Sequence, residues 1–142
     1  MPTRRHLLLT GPALLLAACA QAPASNVAAA KAEHHGITLV YIGADDCAPC
    51  QTWRKRELPK WQASATRGKV DFRMVMAAHF RNVVDPYYWP DDLLWIKDDA
   101  HVSNASPQYV VAKDGKVLLR GFGVQSWQSR VLPLLQRLTA TG

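Results

Sequence analysis

The stretch Ile37-Thr-Leu-Val-Tyr-Ile-Gly-Ala-Asp-Asp-Cys-Ala-Pro-Cys50 decides how the rest of the chain is interpreted. Its first half, Ile37 to Gly43, is almost entirely apolar and rich in β-branched and aromatic side chains, which predicts a strand buried on both faces of a sheet. Ala44-Asp45-Asp46 predicts a turn whose acids cap a helix. The cysteines therefore stand where a strand gives way to a helix.

The two cysteines, Cys47 and Cys50, are three residues apart at the predicted start of that helix. Residues with this separation lie on one face of a helix, and their spacing is compatible with a disulfide. The helix N-terminus favours an anion, and the thiolate is the reactive form of cysteine. We therefore expect Cys47 to be the exposed nucleophile and Cys50, one turn further in, to be the resolving thiol.

Working outward, the chain predicts further strands and helices in a recognisable order. The first helix should run from Cys47 to about Ala65 with a kink at Pro59, and Val70 to Met76 alternates like a strand. A strand–helix–strand order implies a parallel pair with a right-handed crossover. Residues 77–104 are broken by prolines and predict only a short helix near Asp91 to Lys97.

The last third of the chain predicts a hairpin and a closing helix. The apolar runs 108–112 and 116–122 flank Asp114-Gly115, and Asp-Gly between such runs is a strong hairpin signal. Ser126 to Thr139 has the apolar spacing of an amphipathic helix. The hairpin adds antiparallel strands to the parallel pair, so the class is α/β with a central mixed sheet.

Two segments together resemble the thioredoxin superfamily. The strand and turn ending in Cys47-Ala48-Pro49-Cys50 is similar to the active-site segment of thioredoxins, and Ala105 to Gly123 resembles their proline, hairpin and terminal glycine. The resemblance implies a thioredoxin fold over residues 37–142, with about four strands flanked by helices. It also implies a thiol–disulfide oxidoreductase without a cofactor, acting on protein thiols and disulfides.

The same resemblance assigns roles to Ser106 and Pro107. In the family this proline is cis and lies beside the disulfide, where the preceding residue offers its backbone N–H and C=O to an extended peptide. Ser106 and Pro107 are thus expected to bind substrate, and the proline would keep metal ions away from the thiols. A trans proline that simply opens a strand is the alternative.

The chain departs from the family's pattern at two positions. Asp46 replaces the usual aromatic residue before the first cysteine, and Tyr41 stands where the family has a buried acid. Asp45 or Asp46 would either take over proton transfer or oppose the Cys47 thiolate through its negative charge. Which of the two effects it has depends on how far the carboxyl group is buried. Ala48-Pro49 resembles membrane-tethered TlpA/ResA-type reductases more than strong oxidants of the DsbA type, which favours a reductant.

Several residues in the middle of the chain have two interpretations. One interpretation, which we favour, is that an inserted segment packs through Tyr87-Tyr88-Trp89 and Trp95. The other is that these aromatic residues form a groove for a partner protein. His79 and His101 would either approach the thiols or remain ordinary surface residues.

The first 36 residues predict export and a membrane anchor. Residues 1–18 have a basic start, a short apolar run and a small-residue end, the pattern of a signal peptide. Leu16-Ala-Ala-Cys19 resembles the lipobox of bacterial lipoproteins, which implies that Cys19 is lipidated and that residues 19–36 are a flexible tether. Arg4-Arg5 also resembles a twin-arginine signal. We expect a membrane-anchored periplasmic monomer, and His34-His35 is interpreted as a solvated pair.

Charge and cysteine count agree with this division. Lipidation of Cys19 removes the odd one of three cysteines, and loss of residues 1–18 lowers the net charge from +6 to +4. That charge is mild and contains no run of like residues, so no nucleic-acid partner is predicted.

Two other functions remain open from the sequence. In the first, Cys47, Cys50 and a histidine hold copper or zinc, although zinc needs four ligands and one Cys-X-X-Cys supplies two. In the second, the disulfide is structural and the chain is an inactive scaffold.

Overall fold

The computed structural model describes residues 28, 29, 31 and 35–141. The predicted signal peptide at 1–18, the lipidation site Cys19, most of the predicted tether and His34 lie outside the described residues. No helix in the described part of the chain is long and apolar enough to cross a membrane.

A four-stranded mixed sheet forms the centre of the domain, with strand order β2-β1-β3-β4. The strands are β1 (Ile37–Ala44), β2 (Val70–Ala77), β3 (Gln108–Lys113) and β4 (Lys116–Phe122). β1 pairs with β2 in parallel, from Ile37 opposite Val70 to Ala44 opposite Ala77. The other two pairings are antiparallel, and Gln108 lies opposite both Ile42 and Phe122. The predicted fold class is confirmed.

The predicted hairpin is also present. Asp114 and Gly115 connect β3 to β4, with positive φ angles of 48° and 74°. A two-residue turn with positive φ at both positions matches the twist of the flanking strands, and Asp-Gly is among the pairs that adopt it most readily. The Asp114 carboxylate also accepts the Gly36 N–H at 2.8 Å, which fixes the start of β1 against this turn.

The helix after the cysteines is divided, which corrects the prediction of one kinked helix from Cys47 to Ala65. The structure has α1 (Ala48–Arg56) and α2 (Leu58–Gln62), separated at Glu57. Pro59 falls in the first turn of α2, where its missing N–H breaks no helical hydrogen bond. The break replaces the predicted kink.

The closing helix begins earlier than predicted and is irregular. It starts with α4 (Gly123–Ser126), passes through a π-helical turn (Trp127–Val131) and ends with α5 (Leu132–Ala140); the short α3 (Leu94–Asp99) precedes β3. Pro133 cannot donate a hydrogen bond to the preceding turn, and that turn is the one that widens into a π-helix.

Each face of the sheet carries its own core. The helical face, covered by α1, α2 and α5, buries a mainly aromatic cluster: Leu39, Tyr41, Trp53, Trp61, Val70, Tyr109, Val111, Trp127, Val131 and Leu135. The insert face is covered by the segment between β2 and β3, whose buried side chains include Val83, Trp89, Leu93, Trp95 and Ile96. Burial of β1 on both faces agrees with its nearly continuous apolar sequence.

The aromatic residues of the inserted segment are buried in part and exposed in part. Trp89 and Trp95 are buried, which confirms packing of the inserted segment for these two, whereas Tyr87 is exposed. In β2 the expected alternation is wrong at one point, because Met74 is exposed and Val75 is buried. β2 is an edge strand, and its neighbours cover both of its faces only in part.

Candidate active site

One edge of the sheet collects the residues singled out for chemistry. β1, β2 and β4 end at this edge and β3 begins there, because β3 runs antiparallel to its neighbours. The edge therefore holds Cys47 after β1, His79 after β2, Ser106-Pro107 before β3 and Gly123 after β4. The strand register brings four segments far apart in sequence to one place.

The disulfide occupies the N-terminus of α1. Cys47 and Cys50 are bonded, with Cα atoms 5.2 Å apart, a separation ordinary for a disulfide. Cys47 is the N-cap residue, and its Sγ accepts the Cys50 backbone N–H at 3.2 Å. Ala48 and Pro49 open the first turn, where proline's fixed φ suits a helix start. The unpaired N–H groups of that turn favour negative charge on the Cys47 sulfur.

The two sulfur-bearing residues differ in accessibility. Cys47 keeps 7% of its surface exposed, whereas Cys50 has none. Cys47 is less open than its predicted surface position, because it packs with the core of the insert face. Of the two sulfur-bearing residues, Cys47 is therefore the one that solvent can reach.

The Ser106–Pro107 peptide bond is cis, as predicted. The Pro107 carbonyl accepts the Gly123 N–H at 2.9 Å, which ties this loop to the end of β4. Ser106 Oγ lies 3.5 Å from the Ile42 carbonyl oxygen, on the strand that leads to Cys47. Among the described residues, the Ser106 backbone N–H and C=O have no hydrogen-bond partner.

A buried glutamine that the sequence reading missed supports this loop. Gln108 has no exposed surface, and its side-chain amide donates to the carbonyls of Ser103, at 2.7 Å, and Ala105. These two bonds hold residues 103–105, the segment that leads into Ser106 and Pro107. A glutamine at the first position of an otherwise apolar strand was the available signal.

Tyr41 lies beneath the disulfide, on the helical face. Its ring stacks on Trp53 with centroids 4.3 Å apart, and its hydroxyl reaches the Cys50 carbonyl oxygen at 3.5 Å. Burial raises the pKa of Tyr41 to about 12, although Arg54 opposes the shift. The phenol is therefore neutral at physiological pH. It cannot serve as an anionic base, as the carboxylate of a buried acid at this position could.

The two acids before Cys47 are each held by a partner. Asp45 Oδ1 lies 3.4 Å from Arg54 Nη1, and the Asp45 N–H donates to the Ala77 carbonyl at 3.0 Å. Asp46 accepts the Phe80 N–H at 2.8 Å and contacts His79 Nδ1 at 3.2 Å. Desolvation alone would raise the pKa of the Asp46 carboxyl, but the bonds from Phe80 and His79 outweigh it and hold that pKa below its ordinary value.

The described residues contain no group of three or more His, Cys, Asp or Glu side chains arranged to hold a metal ion. Of the two candidate histidines, His79 reaches Asp46, next to Cys47. His101 lies in a loop where its carbonyl accepts the Arg120 guanidinium. The site therefore consists of two sulfurs, a backbone loop and a set of paired charges.

Comparison with known proteins supports the fold through structure alone. No protein-family model and no curated protein matches the chain. A solved thioredoxin from Malassezia sympodialis is similar over 75% of this chain and 80% of its own, at 16% identity and a TM-score of 0.53. Thioredoxin from Fasciola hepatica (17% identity, 81% and 89% covered, TM-score 0.49) and mitochondrial thioredoxin 3 from Saccharomyces cerevisiae (19%, 82% and 88%, 0.47) are also similar.

The architecture is therefore that of the thioredoxin fold, with a Cys-X-X-Cys disulfide at the start of its first helix. At these identities the likeness defines the fold, and the chemistry must be argued from the site itself.

Proposed function

We propose that the chain is a thiol–disulfide oxidoreductase that exchanges disulfides with partner proteins through Cys47 and Cys50. The observation that carries this proposal is the disulfide at the helix N-terminus, with one partly accessible and one inaccessible sulfur. A structural disulfide has no need of an accessible sulfur at a site that stabilises its thiolate.

In the reducing direction, the reaction uses only these two thiols. The Cys47 thiolate attacks one sulfur of the partner's disulfide, forming a Cys47–partner disulfide and releasing the first partner thiolate. The Cys50 thiolate then attacks the Cys47 sulfur, forming the Cys47–Cys50 disulfide and releasing the second partner thiolate. The partner gains two electrons and the pair loses two; protonation of the partner's thiolates balances the thiol protons lost by Cys47 and Cys50.

Ser106 and Pro107 supply the binding surface for the partner. The Ser106 backbone groups have no partner among the described residues, so they are available to pair with an extended peptide as another strand would. Phe80 and Phe122 border the same edge, with 42% and 41% of their surfaces exposed. Apolar side chains around an exposed backbone suit a partially unfolded protein segment that carries the target disulfide.

We also propose that the domain is tethered outside the cytoplasm by a lipid on Cys19. The leader pattern at 1–18 is the basis, and the fold adds a geometric consequence. The tether joins β1 at Ile37, whereas Cys47 follows the opposite end of that eight-residue strand. Eight residues span about 26 Å, so the disulfide faces away from the edge where the tether joins.

A trapping experiment tests the exchange reaction. Cys50→Ser should accumulate covalent complexes with partner proteins, because the mixed disulfide on Cys47 can no longer be resolved, while Cys47→Ser should accumulate few. Non-reducing gels with mass spectrometry would identify them. The reverse pattern would refute the assigned order of attack.

Equilibration with glutathione buffers measures the reduction potential of the Cys47–Cys50 pair and so distinguishes disulfide exchange from an inactive scaffold. An exchanging pair should have a reduction potential within roughly −270 to −120 mV, whereas a structural disulfide lies below about −300 mV. Metal analysis of the reduced protein tests copper or zinc binding, and one bound ion per chain would favour that function instead.

Cys19→Ser tests the anchor. This variant lacks the acylation site and should move from the membrane fraction to the soluble fraction, because stable anchoring requires the acyl chains. A variant that still fractionates wholly with membranes would refute the lipid tether without touching the exchange reaction.

A further inference from the structure

A carboxylate immediately before the nucleophile creates an electrostatic problem. Asp46 is bonded in sequence to Cys47, and a neighbouring negative charge disfavours a thiolate. The helix N-terminus favours that same thiolate, so the two influences oppose each other at one sulfur. How the carboxylate is neutralised therefore bears directly on the exchange chemistry.

The parallel register brings a partner to this carboxylate. Ala44 lies opposite Ala77, so Asp46 and His79 are each two residues beyond the last pair of β1 and β2. The hydrogen bond from the Asp45 N–H to the Ala77 carbonyl keeps the segments that follow β1 and β2 side by side. His79 Nδ1 then lies 3.2 Å from one Asp46 oxygen, and the Phe80 N–H donates to the other at 2.8 Å.

Two arginines near this turn are engaged elsewhere. Arg54, on α1, pairs with Asp45. Arg81, two residues after His79, places its guanidinium over the Phe80 ring at 5.7 Å. In the described part of the chain, His79 is the one side chain that bonds the Asp46 carboxylate.

We propose that His79 is a positioning residue of the exchange reaction: it holds and partly neutralises the Asp46 carboxylate, so that Cys47 can carry a thiolate. This inference rests on the proposed function. Because the thiolate belongs to the reduced pair, His79 stabilises the reduced form and speeds attack by Cys47. Asp46 restrains the same thiolate, and the pair together sets how reactive Cys47 is.

The test measures the Cys47 thiolate directly, without any partner protein. The protein carrying Cys19→Ser and Cys50→Ser retains Cys47 alone, and its thiolate absorbance near 240 nm can be followed against pH. Where the imidazole is protonated, His79→Ala should lower the thiolate-to-thiol ratio of Cys47 about threefold, the size expected for removal of one partly screened positive charge near the sulfur. Asp46→Asn should raise that ratio by a similar factor.

Nonadditivity identifies the contact itself. In the Asp46→Asn background, His79→Ala should change the ratio much less, because the charge that it neutralises is gone. Arg81→Ala is the matched control, since it removes a cation from the same loop that does not bond Asp46. His79→Gln, which can donate a hydrogen bond without charge, should give a ratio between those of the parent and His79→Ala.

Two results would overturn the proposal. One is additive effects of Asp46→Asn and His79→Ala. The other is a fall in melting temperature for His79→Ala with an unchanged thiolate titration, which is what a purely structural contact would produce. If the titrations behave as expected but Cys50→Ser traps no partner, the electrostatic role stands and the exchange function fails.

Discussion

Gly43→Ala offers a sharp test of how the site is packed. Tyr41 and Gly43 lie two residues apart on β1, and the Tyr41 ring folds over Gly43 toward the disulfide helix. A Cβ on Gly43 would lie 2.6 Å from both Cε1 and the hydroxyl oxygen of Tyr41, and 2.8 Å from its Cζ. Such distances are too short for real side chains, so the ring must move.

The cost can be set from what the ring would lose. Forcing an extra methyl group into a packed core costs about 1–3 kcal/mol, and displacement of Tyr41 also weakens its stacking on Trp53, worth about 0.5–1.5 kcal/mol. We expect Gly43→Ala to lower the free energy of unfolding by about 2 kcal/mol. For a domain of this size that corresponds to a fall of roughly 8–16 °C in melting temperature.

Urea denaturation followed by tryptophan fluorescence would measure the effect, with two backgrounds as controls. Tyr41→Phe keeps the ring, so Gly43→Ala should cost about as much there. Tyr41→Ala removes the ring, and in that background Gly43→Ala should cost less than about 0.5 kcal/mol. Gly68→Ala is the matched glycine control, because a Cβ there meets nothing within 4 Å.

Equal costs of Gly43→Ala with and without the Tyr41 ring would refute the reasoning. That result would mean that the close approach of ring and strand does not determine why glycine stands at position 43.

Two further predictions concern charge. The folded-state pKa of Tyr41 is raised from 10.0 to about 12. This shift contributes about 2–3 kcal/mol of stability that is fully present below pH 10 and is lost as pH rises from 10 to 12. The urea midpoint should therefore decrease between pH 10 and 12, and Tyr41→Phe should make that decrease smaller. Arg73 bonds both Asp92 oxygens, at 2.8 and 3.3 Å, so Arg73→Lys should cost about 0.5–1 kcal/mol and speed hydrogen exchange near Leu93; exchange that changes equally throughout the domain would contradict this local role.

Much of the fold could be read from local patterns. The apolar run of β1 predicts a strand buried on both faces, and Asp114-Gly115 predicts the hairpin, because each signal depends on a few adjacent residues. The limits of α1 were less well predicted. A proline interrupts a helix in two ways, by kinking it or by ending it, and the surrounding packing decides between them.

The site divides in the same manner. Spacing and helix position singled out Cys47 and Cys50, and the segment resembling thioredoxins indicated Ser106 and Pro107. Gln108 was missed, because a single polar residue at the start of an apolar strand does not show which carbonyls it will meet.

By itself the sequence determined the order of elements, the pair of sulfurs and the edge of the sheet where they stand. Only the tertiary structure decided what surrounds them. His79 meets Asp46 through the parallel register of β1 and β2, and Tyr41 reaches Cys50 because Gly43 leaves room for its ring. Turn and periodicity signals depend on adjacent residues. These contacts instead depend on strand register and on the space beside a glycine that has no side chain, and both are set only once the chain has packed.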